Sequence, residues 1–180
     1  MKEIERKFLL AVDLDYLLQA TNTNSDLYDG RHGHFWGYTT IVQHYLKNTG
    51  DWAIRVRRII TDHNDYSEDE YVQTMKYRIS DRESIEIEEQ IAPDAFEFLA
   101  SNRTLTTPAL VKRRHRISYP DVEHVWEIDQ FINEEYKDLV LAEIELDDPN
   151  YLFPFPFWLG KEVTDDKKYR NARMARKLER

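Results

Sequence analysis

The chain has 180 residues, no cysteine and a formal charge of −9 at neutral pH. That length suits one domain with a sizeable core, predicted to span 1–180, and the lack of cysteine excludes a disulfide framework, a thiol nucleophile and a Cys-type zinc site. The acidic balance argues against general affinity for nucleic acid or anionic membrane, while a charged start and no apolar run near ~18 residues fit neither a signal peptide nor a membrane span, so a cytoplasmic protein is expected.

In chain order, Met1 to Leu10 reads as a strand whose alternation puts Glu3, Glu5 and Lys7 on one face and Ile4 and Phe8 on the other. Val12 to Ala20 reads as a short helix capped by Asp13, with Leu14, Leu17 and Leu18 on its apolar side. Thr21 to Gly33 reads as a loop. A second strand, Trp36 to Leu46, turns at Asn48-Thr49-Gly50-Asp51 into a third, Trp52 to Ile60, where Arg55 and Arg57 oppose Trp52, Ile54 and Val56. The polar run Thr61 to Asp69 has little to bury and reads as a hairpin loop.

Tyr71 to Arg78 then aligns Thr74, Lys76 and Arg78, and Glu83 to Ile91 aligns Glu86 and Glu88 against Ile85, Ile87 and Ile91. Pro93 opens a helix with Phe96, Leu99 and Ala100 on its apolar side. Three more strands follow. Leu110 to Tyr119 aligns Lys112, Arg114 and Arg116; Val125 to Ile132 aligns Glu127 and Asp129; Leu139 to Asp147 aligns Glu143 and Glu145. Phe153 to Trp158 reads as a packed loop, and Asp166 to Arg180 as a basic helix.

One charged row is ordinarily the wet face of a half-buried sheet. Here seven of eight strands carry such a row, and the signs come in blocks: acidic at Glu86/Glu88, Glu127/Asp129 and Glu143/Glu145, basic at Arg55/Arg57, Lys76/Arg78 and Lys112/Arg114, and mixed at Glu3/Glu5/Lys7. With apolar residues opposite and a few helices to cover them, the pattern predicts an α+β fold, a closed eight-stranded antiparallel β-barrel that keeps its charges inside. Unpaired charge in such a lumen would cost several kcal/mol per ion, so a charged guest is implied. Carboxylates without Cys or clustered His favour hard cations such as Mg²⁺ or Mn²⁺, and the Arg and Lys rows favour phosphate oxygens. The six histidines show no metal spacing beyond His32-Gly33-His34 and read as incidental.

Glu3-Ile4-Glu5-Arg6-Lys7 resembles the ExExK signature of CYTH domains, the triphosphate tunnel metalloenzymes. Similar segments continue in order through Gln43-His44-Tyr45, Arg55-Val56-Arg57, Thr74-Met75-Lys76, Glu86-Ile87-Glu88, Lys112-Arg113-Arg114, Glu127-Ile128-Asp129 and Glu143-Ile144-Glu145 to Gly160-Lys161-Glu162-Val163-Thr164-Asp165-Asp166. The opening and ending are similar to the short bacterial inorganic triphosphatases. The resemblance implies hydrolysis of a small triphosphate, most simply inorganic tripolyphosphate, with Mg²⁺ or Mn²⁺. It implies metal on Glu3, Glu5, Glu143 and Glu145 helped by Asp129, phosphate on Lys7, Arg55, Arg57, Lys76 and Arg114 with Lys112 as a further contact, and a plug over Lys168 to Ala175. In that chemistry Glu88 or Glu127 takes the proton of the attacking water, and Tyr45 beside Lys7 sets the leaving-group end. Glu86 and Glu88 read equally as ligands or as counter-ions of the basic row, and Arg78 and Arg116 as rim charges. Cyclisation of ATP, as in class IV adenylyl cyclases, nucleoside or thiamine triphosphate hydrolysis, and polyphosphate binding without turnover are the competing readings; a monomer or a homodimer is compatible with the sequence. Insertions at Thr21 to His34 and Thr61 to Asp69 depart from the family pattern near the tunnel entrance.

Overall fold

Alternating charged and apolar residues, repeated strand after strand, roll the chain into a tube. A computed structural model describes residues 1–22, 34–62, 67–119, 122–153 and 155–179. The strands are β1 (Lys2–Leu10), β2 (His34–Tyr45), β3 (Trp52–Asp62), β4 (Ser67–Arg78), β5 (Glu83–Gln90), β6 (Leu110–Tyr119), β7 (Val122–Phe131), β8 (Val140–Leu146) and β9 (Leu159–Glu162). They form an antiparallel sheet in the order β5-β4-β3-β2-β6-β7-β8-β1-β9, and an added β5–β1 pairing closes β1 to β8 into an eight-stranded barrel. The tight β2–β3 turn is permitted by left-handed backbone at Asn48 and Gly50.

The hydrophobic core lies outside the tube. Ile4, Phe8, Ile117, Trp126, Ile128 and Ile144 project outward and are buried beneath Leu14 and Leu17 of α1 (Leu14–Asn22) and beneath Phe153 and Trp158. Burying each large side chain there contributes about 1.5–3 kcal/mol. The Asp13 carboxylate caps α1 by accepting the Asp15 amide at 2.8 Å. α2 (Pro93–Ser101) begins at Pro93 and buries Phe96 against His44 and Tyr71. The C-terminal α3 (Asn171–Lys177) inserts Met174 and Ala175 into a second cluster with Tyr45, Leu110, Phe131, Leu141 and Val163.

β1 changes partners partway along. Lys2 to Ile4 pair with β5, Ile4 to Leu9 pair with β8 on the other side, and Phe8 and Leu10 pair with β9. Between the two outer partners, the Glu5 amide donates to the Arg82 carbonyl at 2.9 Å, the Lys7 carbonyl accepts from the Val163 amide at 2.8 Å, and the Lys7 amide donates to Thr164 Oγ1 at 3.0 Å. β9 comes this close only because of Gly160, where a Cβ would meet the Leu9 carbonyl oxygen at 2.7 Å.

Four expectations change. β9 lies just after the stretch expected to be a packed loop, whose Phe155 and Phe157 are exposed while Phe153 and Trp158 are buried. The loop expected over Thr61 to Asp69 contracts, since Thr61 pairs with Glu68 and Asp62 with Ser67; residues 63–66 lie outside the described residues. Helix α3 is shorter than Asp166 to Arg180 because Asp166 accepts the Lys168 amide and a 3-10 turn over Lys167–Tyr169 precedes it. Thr21 and Asn22, expected to open a loop, instead end α1, where Thr21 Oγ1 donates to the Leu17 carbonyl; residues 23–33, with His32 and Gly33, lie outside the described residues.

Candidate active site

The inward rows meet in a cavity of about 910 Å³. Twelve Lys or Arg and nine Asp or Glu are among the described residues lining it, so the lumen is net basic although the chain is acidic. Its lining includes Glu3, Glu5, Lys7, Tyr45, Arg55, Arg57, Lys76, Glu86, Glu88, Arg114, Glu127, Glu143 and Glu145. A second cavity of about 420 Å³ adjoins the acidic end and shares Glu3, Glu5, Glu127, Glu143 and Glu145.

At the centre, Lys7 Nζ lies 2.6 Å from Glu143 and 3.2 Å from Glu5. Burial alone would lower its pKa, but Glu143 and Glu5 outweigh that and raise it, so the amine stays charged. Burial likewise opposes ionisation of Glu5, yet Lys7 overcomes it, aided by Lys76, and holds Glu5 down at about 2. Lys76 Nζ sits 3.4 Å from Glu5 and 3.6 Å from Glu3, and pairs with Glu86.

The acids at the far end behave differently. Burial, then Glu86, pushes the Glu3 carboxyl up to about 7, and burial with Glu127 and Glu5 raises Glu145. Here carboxylates outnumber their cations. Oxygen donors of this kind suit a hard divalent ion, and Glu3, Glu5, Glu143 and Glu145 each line both cavities. In this geometry Lys7 and Lys76 stand among them, and no three His, Cys, Asp or Glu side chains among the described residues are gathered about one point.

On the basic side, Arg55 lies 3.8 Å from both Glu86 and Glu88. Arg57 donates to Thr74 Oγ1 at 2.9 Å and pairs with Glu88, while burial and the adjacent Arg55 lower its guanidinium to about 10. Arg114 grips Asp129 with Nε and Nη2, both at 2.7 Å, reaches Glu143 at 3.1 Å, and pairs with Glu127. Tyr45 donates to Gln43 Oε1 at 3.2 Å and stands opposite Arg55 in the β2–β3 ladder, so its surroundings are on β2 and β3, whereas Lys7 is held by β1 and β8.

Two expected lumen residues are not at the surface of either cavity. Asp129 is 0% exposed and Lys112 2%, and they pair with each other. Glu88 and Glu127 border the lumen but carry arginine partners, and Arg116 is a rim charge with a side chain 55% exposed. Of the stretch Lys168 to Ala175 expected as a plug, Arg170 and Arg173 line the cavity, as do Lys167 before it and Arg176 and Lys177 after it, whereas Lys168 turns to Asp166 and the Tyr169 ring. The basic bias of the tail was the sequence signal.

The family model of the CYTH domain matches residues 1–180. An inorganic triphosphatase of Nitrosomonas europaea is 30% identical over 178 residues, covering 97% of each chain. One of Acetivibrio thermocellus is 39% identical over 69 residues, which span 38% of this chain and 42% of that relative. The crystal structure of an inorganic triphosphatase, 29% identical, matches 97% of this chain and 94% of its own with a TM-score of 0.52. A protein of Pyrococcus horikoshii OT3, 19% identical with a TM-score of 0.57 over 82% of this chain and 80% of its own, shares the fold.

Proposed function

The chain belongs to the CYTH domain family, and from that premise we propose that it hydrolyses a triphosphate, inorganic tripolyphosphate by preference, to diphosphate and phosphate inside its tunnel. The observation that carries this reading is the presence, within one cavity, of a basic wall together with the carboxylates of Glu3, Glu5, Glu143 and Glu145. A triphosphate carries about four negative charges near neutral pH, which repel an incoming nucleophile until they are neutralised. Arg55, Arg57, Lys76 and Arg114 supply fixed cations along its length, and their carboxylate partners aim them before substrate arrives.

Glu3, Glu5, Glu143 and Glu145 would hold Mg²⁺ or Mn²⁺, which supplies further charge neutralisation and acidifies water. Water oxygen bonds to the terminal phosphorus, the bridging P–O bond breaks, and diphosphate leaves. Lys7, kept protonated, donates a hydrogen bond to the bridging oxygen as charge builds there. The proton released by the water passes to Glu127, which borders both cavities, the acidic one included, whereas Glu88 borders only the larger.

Phosphate release from tripolyphosphate with Mg²⁺ or Mn²⁺ is the test. Glu5→Gln and Glu127→Gln are each expected to lower kcat at least about a hundredfold, the scale of losing one preorganised group. A wild-type chain without turnover, or cyclic AMP as the product from ATP, would overturn the assignment.

A further inference from the structure

Asp129 and Lys112 sit on the inward-facing rows of β7 and β6, yet neither borders either cavity. An ionised carboxylate offers about four lone-pair sites. Three are already taken: Arg114 Nε reaches Oδ1 at 2.7 Å, Arg114 Nη2 reaches Oδ2 at 2.7 Å, and Lys112 Nζ pairs with Oδ2. Arg114 stands directly opposite Asp129 in the β6–β7 ladder, so the bidentate grip follows from register.

We infer that Asp129, backed by Lys112, is a positioning pair that fixes the Arg114 guanidinium for the triphosphate, and that it does not ligate the divalent ion. A hard cation needs open oxygens and usually keeps several waters, and this carboxylate has no exposed surface. A dication at Asp129 would also face Lys112 and Arg114 at contact distance. The charge balance explains the second cation. Lys112 and Asp129 cancel as a buried pair, so Asp129 does not itself offset the positive charge of Arg114, whose Nη1 pairs with Glu127 and whose Nη2 is shared between Asp129 and Glu143 at the lumen. Without Lys112 the buried carboxylate would neutralise the arginine it orients.

The inference rests on the triphosphatase reading for the identity of the anion, so its test uses binding as well as turnover. Titrate the full chain by calorimetry with Mn²⁺ alone and with tripolyphosphate in the absence of metal. Asp129→Asn is expected to leave the Mn²⁺ dissociation constant within about twofold and to weaken tripolyphosphate binding about tenfold, as loss of a charge-assisted hydrogen bond does. In an Arg114→Met background the same change should cost less than about twofold, since Asp129 acts through Arg114. A tenfold loss of Mn²⁺ affinity in Asp129→Asn, or additive losses in the double variant, would overturn the inference. Should Asp129→Asn not fold, Arg114→Lys keeps the charge and removes the fork: wild-type tripolyphosphate affinity there would overturn it, and a loss near tenfold supports it. A wild type that binds without turnover would remove the hydrolytic reading and leave these comparisons standing.

Discussion

Charge in the lumen is set residue by residue, and Glu3 is its most informative member. Its folded carboxyl is raised above the ordinary 4.5 to about 7, first by burial and then by Glu86. A folded group that holds its proton more tightly than the unfolded chain favours folding while it is protonated. That advantage is complete below about pH 4.5 and is lost as pH rises through 7. Without metal, Glu3→Gln should therefore raise the unfolding temperature above wild type at pH 8, with the gap closing toward pH 5; a constant gap would show that Glu3 is not crowded. Glu5, held down at about 2 by Lys7, runs the other way, contributing stability above about pH 4.5 that is lost as pH falls toward 2. The inward placement of these acids was legible from alternation, because period two assigns faces whatever the partner strand. Depth was not: Asp129 and Glu127 share a row in the sequence, yet one is sealed and the other borders both cavities. Only the cross-strand register with Arg114 separates them.

At the scale of elements, strand identity followed the sequence closely, and the misplaced pieces were those stabilised by distant partners. β9 has four residues and no alternation of its own to announce it; it exists because β1 offers an edge and Gly160 lets two backbones approach. The ends of β3 and β4 are polar on both faces but ladder on each other through Thr61 and Asp62. The splice between β5 and β9 is completed by a side chain, Thr164, whose hydroxyl oxygen takes the Lys7 amide in place of a strand neighbour and hydrogen-bonds Glu162. Thr164→Val keeps the shape and removes that acceptor, leaving a buried N–H unpaired at a cost of about 1–3 kcal/mol. Thermal unfolding should report that loss, and kcat should fall with it because the backbone carrying Lys7 is no longer pinned; an unchanged kcat would confine Thr164 to a stabilising role.

Taken whole, the molecule sets an acidic exterior against a basic lumen to whose lining α3 adds Arg173, Arg176 and Lys177. Net repulsion of an anionic substrate and local attraction by the α3 cations then oppose one another, and salt screens each within about 8–10 Å. The α3 cations line the cavity itself, so raising ionic strength should increase KM for tripolyphosphate; replacing Arg173 and Arg176 together by Gln should flatten that dependence, and an unaltered slope would mean α3 takes no part in capture. The closed barrel itself was readable because seven charged rows need one shared interior, whereas the opening strand's divided loyalty was not, since nothing in nine residues says how many neighbours will read them. That division constrains how the gene can change. Adding a single codon between Glu3 and Phe8 would turn the acids toward the oily exterior or the phenyl ring toward the ions, and a slip that repaired one neighbour would ruin the other two. A scan of one-residue insertions along the chain should therefore find its deepest gap in tolerance within that stretch, with the β2–β3 turn far more forgiving.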